Sequence, residues 1–153
     1  MKPLFSIVLA VLLPITAMAQ TDLSQTPDAD SGLTTFSANE VNLDDFLWMA
    51  RPLIIFSDTT ADPRLKRQLD LLAARPEDLT ERDVVVIIDD DKDSQSEARE
   101  KLHPRGFALV LIDKDGSVML RKPLPWSTRE LSRAIDKTPL RQQELLDARE
   151  SGS

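Results

Sequence analysis

Three short, unbroken apolar runs restrict this chain more than any other feature: 53–56, 84–88 and 108–112. Each is too short for a buried helix, rich in Val, Ile and Leu, and closed by turn-forming or charged residues. A strand with one wet face alternates apolar and polar residues; a run without alternation belongs to a strand covered on both faces. The covers must come from the segments between the runs. Asp62 precedes Pro63, an N-cap followed by a proline at the first helical position. Leu65, Leu69 and Leu72 then recur at i, i+4 and i+7, which predicts an amphipathic helix to about Ala74, stopped by Arg75-Pro76. The stretch 77–83 reads as a polar connection with Leu79 turned inward. Ser94 with Glu97 has capping-box spacing and opens a predicted helix through Leu102; Ser127 with Glu130 repeats that spacing before Leu131, Ala134 and Ile135. Asp113-Lys114-Asp115-Gly116 is a hairpin turn, with 118–121 as the returning strand. Leu43, Phe46 and Leu47 mark a short helix ending near Arg51-Pro52, and 140–148 is a polar helical tail behind Pro139.

The predicted order is β-α-β-α-β-β-α. The first βαβ unit requires a right-handed parallel pair, and the last two strands form an antiparallel hairpin. This is an α/β chain of thioredoxin-like order, with a four-stranded mixed sheet and helices on both faces. Its domain is placed at 44–147. Residues 1–19 are expected to be a signal peptide: Lys2 supplies the positive start, 4–15 the apolar run, and Ala17-Met18-Ala19 the small residues before a cleavage site. The apolar run is well short of the roughly twenty residues a membrane span needs, so the cleaved chain is not expected to span a membrane. No cysteine follows the small residues, which removes a lipoprotein anchor. Residues 20–43, rich in Ser, Thr, Asp and Asn, are expected to be a mobile polar arm, with a docked strand near 33–36 as the alternative. Residues 148–153 are read as a disordered tail.

Composition closes off several chemistries. The chain has no cysteine and one histidine, His103. Disulfides, thiol catalysis, thiolate metal sites and multi-histidine centres are therefore excluded. With 26 acidic residues against 19 Lys plus Arg, the chain carries a net charge of −7. That balance speaks against nucleic-acid binding, which needs cations facing phosphates.

Five fragments carry a family resemblance: Trp48-x-x-Arg51-Pro52-Leu53, Asp62-Pro63-Arg64-Leu65, Glu81-Arg82-Asp83-Val84-Val85-Val86, Lys114-Asp115-Gly116, and Ile135-Asp136-x-x-Pro139-x-Arg141-Gln142-x-Glu144. In this order, over about 44–146, they resemble the bacterial family DUF4174, a domain of unknown function. The resemblance implies a thioredoxin-like fold related to peroxiredoxins, with related domains in secreted animal sushi-repeat and matrix proteins. It implies no particular reaction. In thioredoxin-like proteins the redox thiols lie where the loop after the first long strand enters a helix. That loop here is Ser57-Asp58-Thr59-Thr60-Ala61-Asp62, without a thiol, and Gly106-Phe107 stands where a cis-proline would precede the third strand.

The same loop is the candidate ligand site. Ser57, Asp58, Thr59, Thr60, Asp62 and Arg64 surround a helix N-terminus, whose free amides and partial positive charge suit a small anion. The structural alternative has Asp62 capping those amides and Arg64 solvated. Asp89, Asp91, Asp93 and Glu100 reproduce the acid spacing at positions 1, 3, 5 and 12 of a calcium loop, but Ser94 stands where that loop has Gly, so a solvated acidic connection is the simpler reading. His103, before Pro104, reads as a helix-end residue rather than a general base. Trp48 and Trp126 read as core or core-edge residues, and Arg51, Arg82 and Arg141 as partners for Asp83, Asp136 or Glu144. No cofactor and no resident metal are expected. Function is expected to be binding of a protein or cell-envelope partner, without catalysis; the alternative is an enzyme or small-anion protein using residues 57–64.

Overall fold

The apolar runs become neighbouring strands because each needs cover on both faces and backbone partners on both edges. A computed structural model describes residues 32–152; the expected signal peptide and the first part of the polar arm lie outside them. Strand β1 spans Thr35–Ser37, β2 Arg51–Phe56, β3 Val84–Asp89, β4 Ala108–Ile112 and β5 Val118–Lys122. Helix α1 spans Pro63–Ala73, α2 Pro76–Thr80, α3 Glu97–Leu102, α4 Thr128–Asp136 and α5 Pro139–Ser151, with a 3-10 turn at Leu43–Phe46. The sheet order is β1-β3-β2-β4-β5. β2 pairs parallel with β3 (Leu53 opposite Val86) and antiparallel with β4 (Leu53 opposite Leu111), and β5 pairs antiparallel with β4.

Alternation along the strands divides the core in two. Leu53, Ile55, Val84, Val86, Leu109 and Leu111 face Leu65 and Leu72 of α1, Leu79 of α2 and Leu131 and Ile135 of α4. Ile54, Phe56, Ile87, Val110 and Ile112 face Ala98 and Leu102 of α3 and Leu43 and Phe46 of the 3-10 turn. β2 is buried at every residue, as an unbroken apolar run requires.

Five expectations are corrected. The sheet has five strands, because β1 adds parallel to β3 (Phe36 opposite Ile87). Residues of the expected arm are therefore ordered from Leu33, which is buried, through Ala38; the docked-strand alternative is the one realised. Leu33, Phe36 and Ala38 lack a long period because so short a strand has room for few inward side chains. The tail expected from 148 is helical to Ser151. Helix α3 is capped by Ser96, whose hydroxyl accepts from the Arg99 amide, and not by Ser94. Finally, Trp48 is exposed, whereas Trp126 packs against the core. The capping box Ser127–Glu130 and the Asp62 cap form as the spacing requires.

Helix α5 is a different kind of element. None of its residues is buried, and a groove of about 740 Å³ separates part of it from β5, lined by Met119, Leu120, Trp126 and Leu140 among others. Ion pairs hold it at its root.

Candidate functional site

The two ends of the sheet differ in chemistry. At the end where β2 and β3 finish lies the loop 57–62. Ser57 is fully buried and its hydroxyl donates to the Thr59 carbonyl at 3.0 Å, closing a local turn. Its amide donates to Asp89 O and its carbonyl accepts from Arg99 Nη2. Thr59 Oγ1 accepts from the Ala61 amide, and Asp58, Thr59 and Thr60 are exposed. Asp62 Oδ1 accepts from the Arg64 amide at 2.9 Å, the N-cap bond of α1, and the Arg64 guanidinium grips the same carboxylate at 2.8 and 3.1 Å. That guanidinium lies 5.4 Å from the centre of the Phe107 ring. Hydrogen bonding to Arg64 holds the Asp62 carboxyl below its ordinary range, and the same bond raises Arg64. The structure thus joins Asp62 to Arg64, turns Ser57 inward and leaves Asp58, Thr59 and Thr60 in solvent. A carboxylate already occupies the helix N-terminus where an anion would sit.

Beside this loop, Asp89 is buried and its oxygens are taken by Ser96 Oγ and by Arg99 Nε and Nη2, the latter at 2.7 Å. Asp91 Oδ1 accepts from the Asp93 amide, Asp93 pairs with Lys92, and Glu100 is exposed on α3. The four acids with calcium-loop spacing do not converge. Among the described residues no cluster of His, Asp and Glu could hold a metal ion. Asp89 instead pins the start of α3 to the sheet. His103 is the C-cap of α3, at a φ of 45°, with its amide on Arg99 O.

At the opposite end, where β2 and β3 begin and the β4–β5 hairpin turns, buried charge is concentrated. Arg51 is fully buried. Its Nε donates to Asp113 at 2.9 Å, Nη1 to Arg82 O at 2.9 Å, and Nη2 to Glu144 at 3.0 Å. Glu144 also receives Lys114 Nζ at 3.0 Å and Arg141 Nη1 at 3.2 Å. Lys114 reaches on to Asp83, and Arg82 forms a bidentate pair with Asp136, both bonds at 2.8 Å. Arg141 Nε is buried without a hydrogen-bond partner, 3.9 Å from Asp136. Burial raises the Glu144 pKa, but hydrogen bonds from Arg51, Lys114 and Arg141 outweigh it and hold the group at about 2. Hydrogen bonding to Arg82 likewise lowers Asp136. Seven residues of the family fragments, Arg51, Arg82, Asp83, Lys114, Asp136, Arg141 and Glu144, therefore meet in one network that clamps α5 to the sheet. Of the acids expected to partner the three arginines, Asp136 takes Arg82 and Glu144 takes Arg51 and Arg141, whereas Asp83 pairs with Lys114. Asp113 was not foreseen; the available signal was an acid immediately after a fully apolar strand, matched by an arginine just before another.

Above this clamp stands an exposed apolar tip. Leu47, Trp48 and Met49 are 39, 68 and 74% exposed. Trp48 has a φ of 62°, in the region that bulky residues avoid. Its amide donates to Lys114 O at 2.7 Å, the amides of Met49 and Ala50 donate to Phe46 O, and Leu47 Cδ2 packs 3.0 Å from where a Cβ on Gly116 would stand. Gly116 itself has a φ of 86° and closes the hairpin. The Trp48 amide thus ties the tip to Lys114 of the clamp and Leu47 leans on the hairpin, while the Trp48 and Met49 side chains face water. Sequence periodicity could not reveal this, since Trp in an apolar helix pattern reads as core.

The fold and this arrangement define a class: a thioredoxin-fold domain with no thiol, whose seven-residue charge network lies at the end of the sheet opposite the loop 57–62. The chain belongs to the family described as Domain of unknown function (DUF4174), whose model matches residues 42–144. Among solved structures it is similar to a Plasmodium vivax 2-Cys peroxiredoxin in reduced form, at 17% identity and a TM-score of 0.51, over 63% of this chain and 81% of that one. A Plasmodium yoelii thioredoxin peroxidase I is similar at 19% identity and a TM-score of 0.44, over 63% and 76%. No curated protein matches the chain in sequence. Among the described residues no helix is long and apolar enough to cross a membrane.

Proposed function

We propose that this protein is an exported, non-catalytic binding module of the cell envelope that engages a protein partner through the tip 47–49. The observation that carries the reading is Trp48: a large aromatic residue left in solvent, in a backbone conformation that costs about 1–3 kcal/mol, on a loop braced by buried ion pairs. Backbone strain of this kind persists where the surroundings impose it, and exposed aromatic residues are the commonest anchors of protein interfaces. Export is supported by Lys2, the apolar run 4–15 and Ala17-Met18-Ala19. The alternative, an anion or catalytic site at Ser57, Asp58, Thr59, Thr60, Asp62 and Arg64, has less support, because Asp62 fills the helix N-terminus and neutralises Arg64.

Site-specific photocrosslinking in the intact envelope tests the reading. A photoreactive residue at Met49 is expected to give a discrete adduct. The same residue at Arg129, exposed on α4, is expected to give none. Equal labelling from both positions, or none from Met49, would overturn it.

A further inference from the structure

The surroundings of the tip specify the chemistry of its partner, and this inference rests on the tip being the binding surface. Residues 38–50 contain Glu40, Asp44 and Asp45 but no Lys or Arg. Asp44 and Asp45 are exposed in the 3-10 turn that leads into the tip. On the other side, the hairpin that receives the Trp48 amide carries exposed Asp115, and Asp83, half exposed, lies where β3 begins. Hydrogen bonds from the Ser117 hydroxyl and amide lower the Asp115 carboxyl, so it remains ionised. The cations in reach are engaged. Lys114 is shared between Asp83 and Glu144, and Lys101 between Asp44 and Glu97. The result is an apolar centre with an acidic rim, the anatomy of a protein interface. An exposed Trp, Met and Leu could also enter a bilayer, but interfacial insertion is assisted by Lys and Arg facing anionic lipid, and this rim has the opposite sign.

We propose that the tip binds a basic amphipathic segment of a partner protein, with apolar side chains seated on Trp48 and Met49 and Lys or Arg facing Asp45 and Asp115, the rim acids left outside the Lys101 and Lys114 ion pairs. Charge complementarity of this kind selects partners and sets the salt dependence of binding.

The test uses the chain from Gln20 onward and three probes: a synthetic peptide with a Leu face and Lys on the opposite face, its counterpart with Glu in place of Lys, and vesicles of anionic phospholipid. Backbone amide shifts report the site. The Lys peptide is expected to bind at least about tenfold tighter than the Glu peptide, moving amides at 44–49 and 113–117. That preference is expected to fade between about 0.01 M and about 1 M salt, as the Debye length falls from about 30 Å to about 3 Å. Asp45→Asn with Asp115→Asn should reduce the preference while circular dichroism still shows the folded domain, and Trp48→Ala should abolish binding. Equal binding of the two peptides, binding of neither, shifts confined to other residues, or preferential binding to the vesicles would each overturn the proposal. The two readings fail separately. A Met49 crosslink in the envelope without basic preference removes the partner chemistry and leaves the tip, whereas absence of the crosslink removes both.

Discussion

Replacing Glu144 by Gln should unlatch α5, and the size of the effect follows from the charges it leaves behind. The carboxylate is shared by Arg51, Lys114 and Arg141 at 3.0–3.3 Å, and its pKa is held at about 2 against an ordinary 4.5. Each unit is worth about 1.36 kcal/mol, so the shift corresponds to roughly 3 kcal/mol as an upper bound. Glu144 keeps 22% of its side-chain exposure, and water screening brings the expected loss to about 2 kcal/mol. For a domain of this size that is a fall in Tm of roughly 8 °C. The folded pKa lies below the unfolded one. Stabilisation is therefore complete above about pH 4.5 and disappears as pH falls through about 2. Urea unfolding of wild type and Glu144→Gln, followed by circular dichroism, should show the full difference at about pH 7 and a shrinking one from about pH 4.5 downward. A difference below about 0.5 kcal/mol at neutral pH, within the range of ordinary surface substitutions, would refute the clamp. A difference that does not shrink in acid would refute its electrostatic origin.

Other outcomes follow from single contacts. Asp62→Ala removes the N-cap of α1 and should cost about 1 kcal/mol in urea unfolding, whereas Arg64→Ala, on an exposed side chain, should change stability by less than about 0.5 kcal/mol; the reverse ranking would contradict the capping role. Asp89→Ala leaves Arg99 without its carboxylate at a buried site and should cost about 3 kcal/mol, with addition of calcium to wild type leaving Tm unchanged; a calcium-dependent rise in Tm would restore the metal reading. N-terminal sequencing of the exported protein should begin at Gln20, and a sequence beginning at Met1 would contradict export by a cleaved signal.

The core was legible because its code is local. Unbroken apolar runs with helical i, i+4, i+7 repeats between them leave few arrangements, and β2 to β5 and α1 follow within two residues at each end. β1 was legible only as the lesser alternative near 33–36, because three residues with one neighbour generate no period; its stability comes from the β3 edge it covers. Leu79 was placed correctly, but its short helix α2 was hidden by the proline that opens it. The clamp was half legible. Arg141–Glu144 is one helical turn apart and Arg82 and Asp136 both stand in the family fragments, but Arg51–Asp113 joins residues 62 apart in sequence with Asp113 outside those fragments, and nothing local marks that pair. Trp48 was misread for a physical reason: periodicity reports which residues can share a face, and a positive φ turns the chain so that the pattern no longer governs.

That same φ supplies the most direct measurement of the account. Glycine accepts a φ of 62° without steric cost, and the side chain it replaces is mostly solvent-exposed. If Trp48 is retained for binding, Trp48→Gly should be at least as stable as wild type, by up to about 2 kcal/mol, the strain of about 1–3 kcal/mol less the roughly 1 kcal/mol entropic cost of glycine, and should lose the envelope crosslink from Met49. If Trp48→Gly keeps that crosslink, or unfolds more easily by about 3 kcal/mol or more, the loss expected of a packed aromatic residue, Trp48 is a structural residue and the tip is not the binding surface.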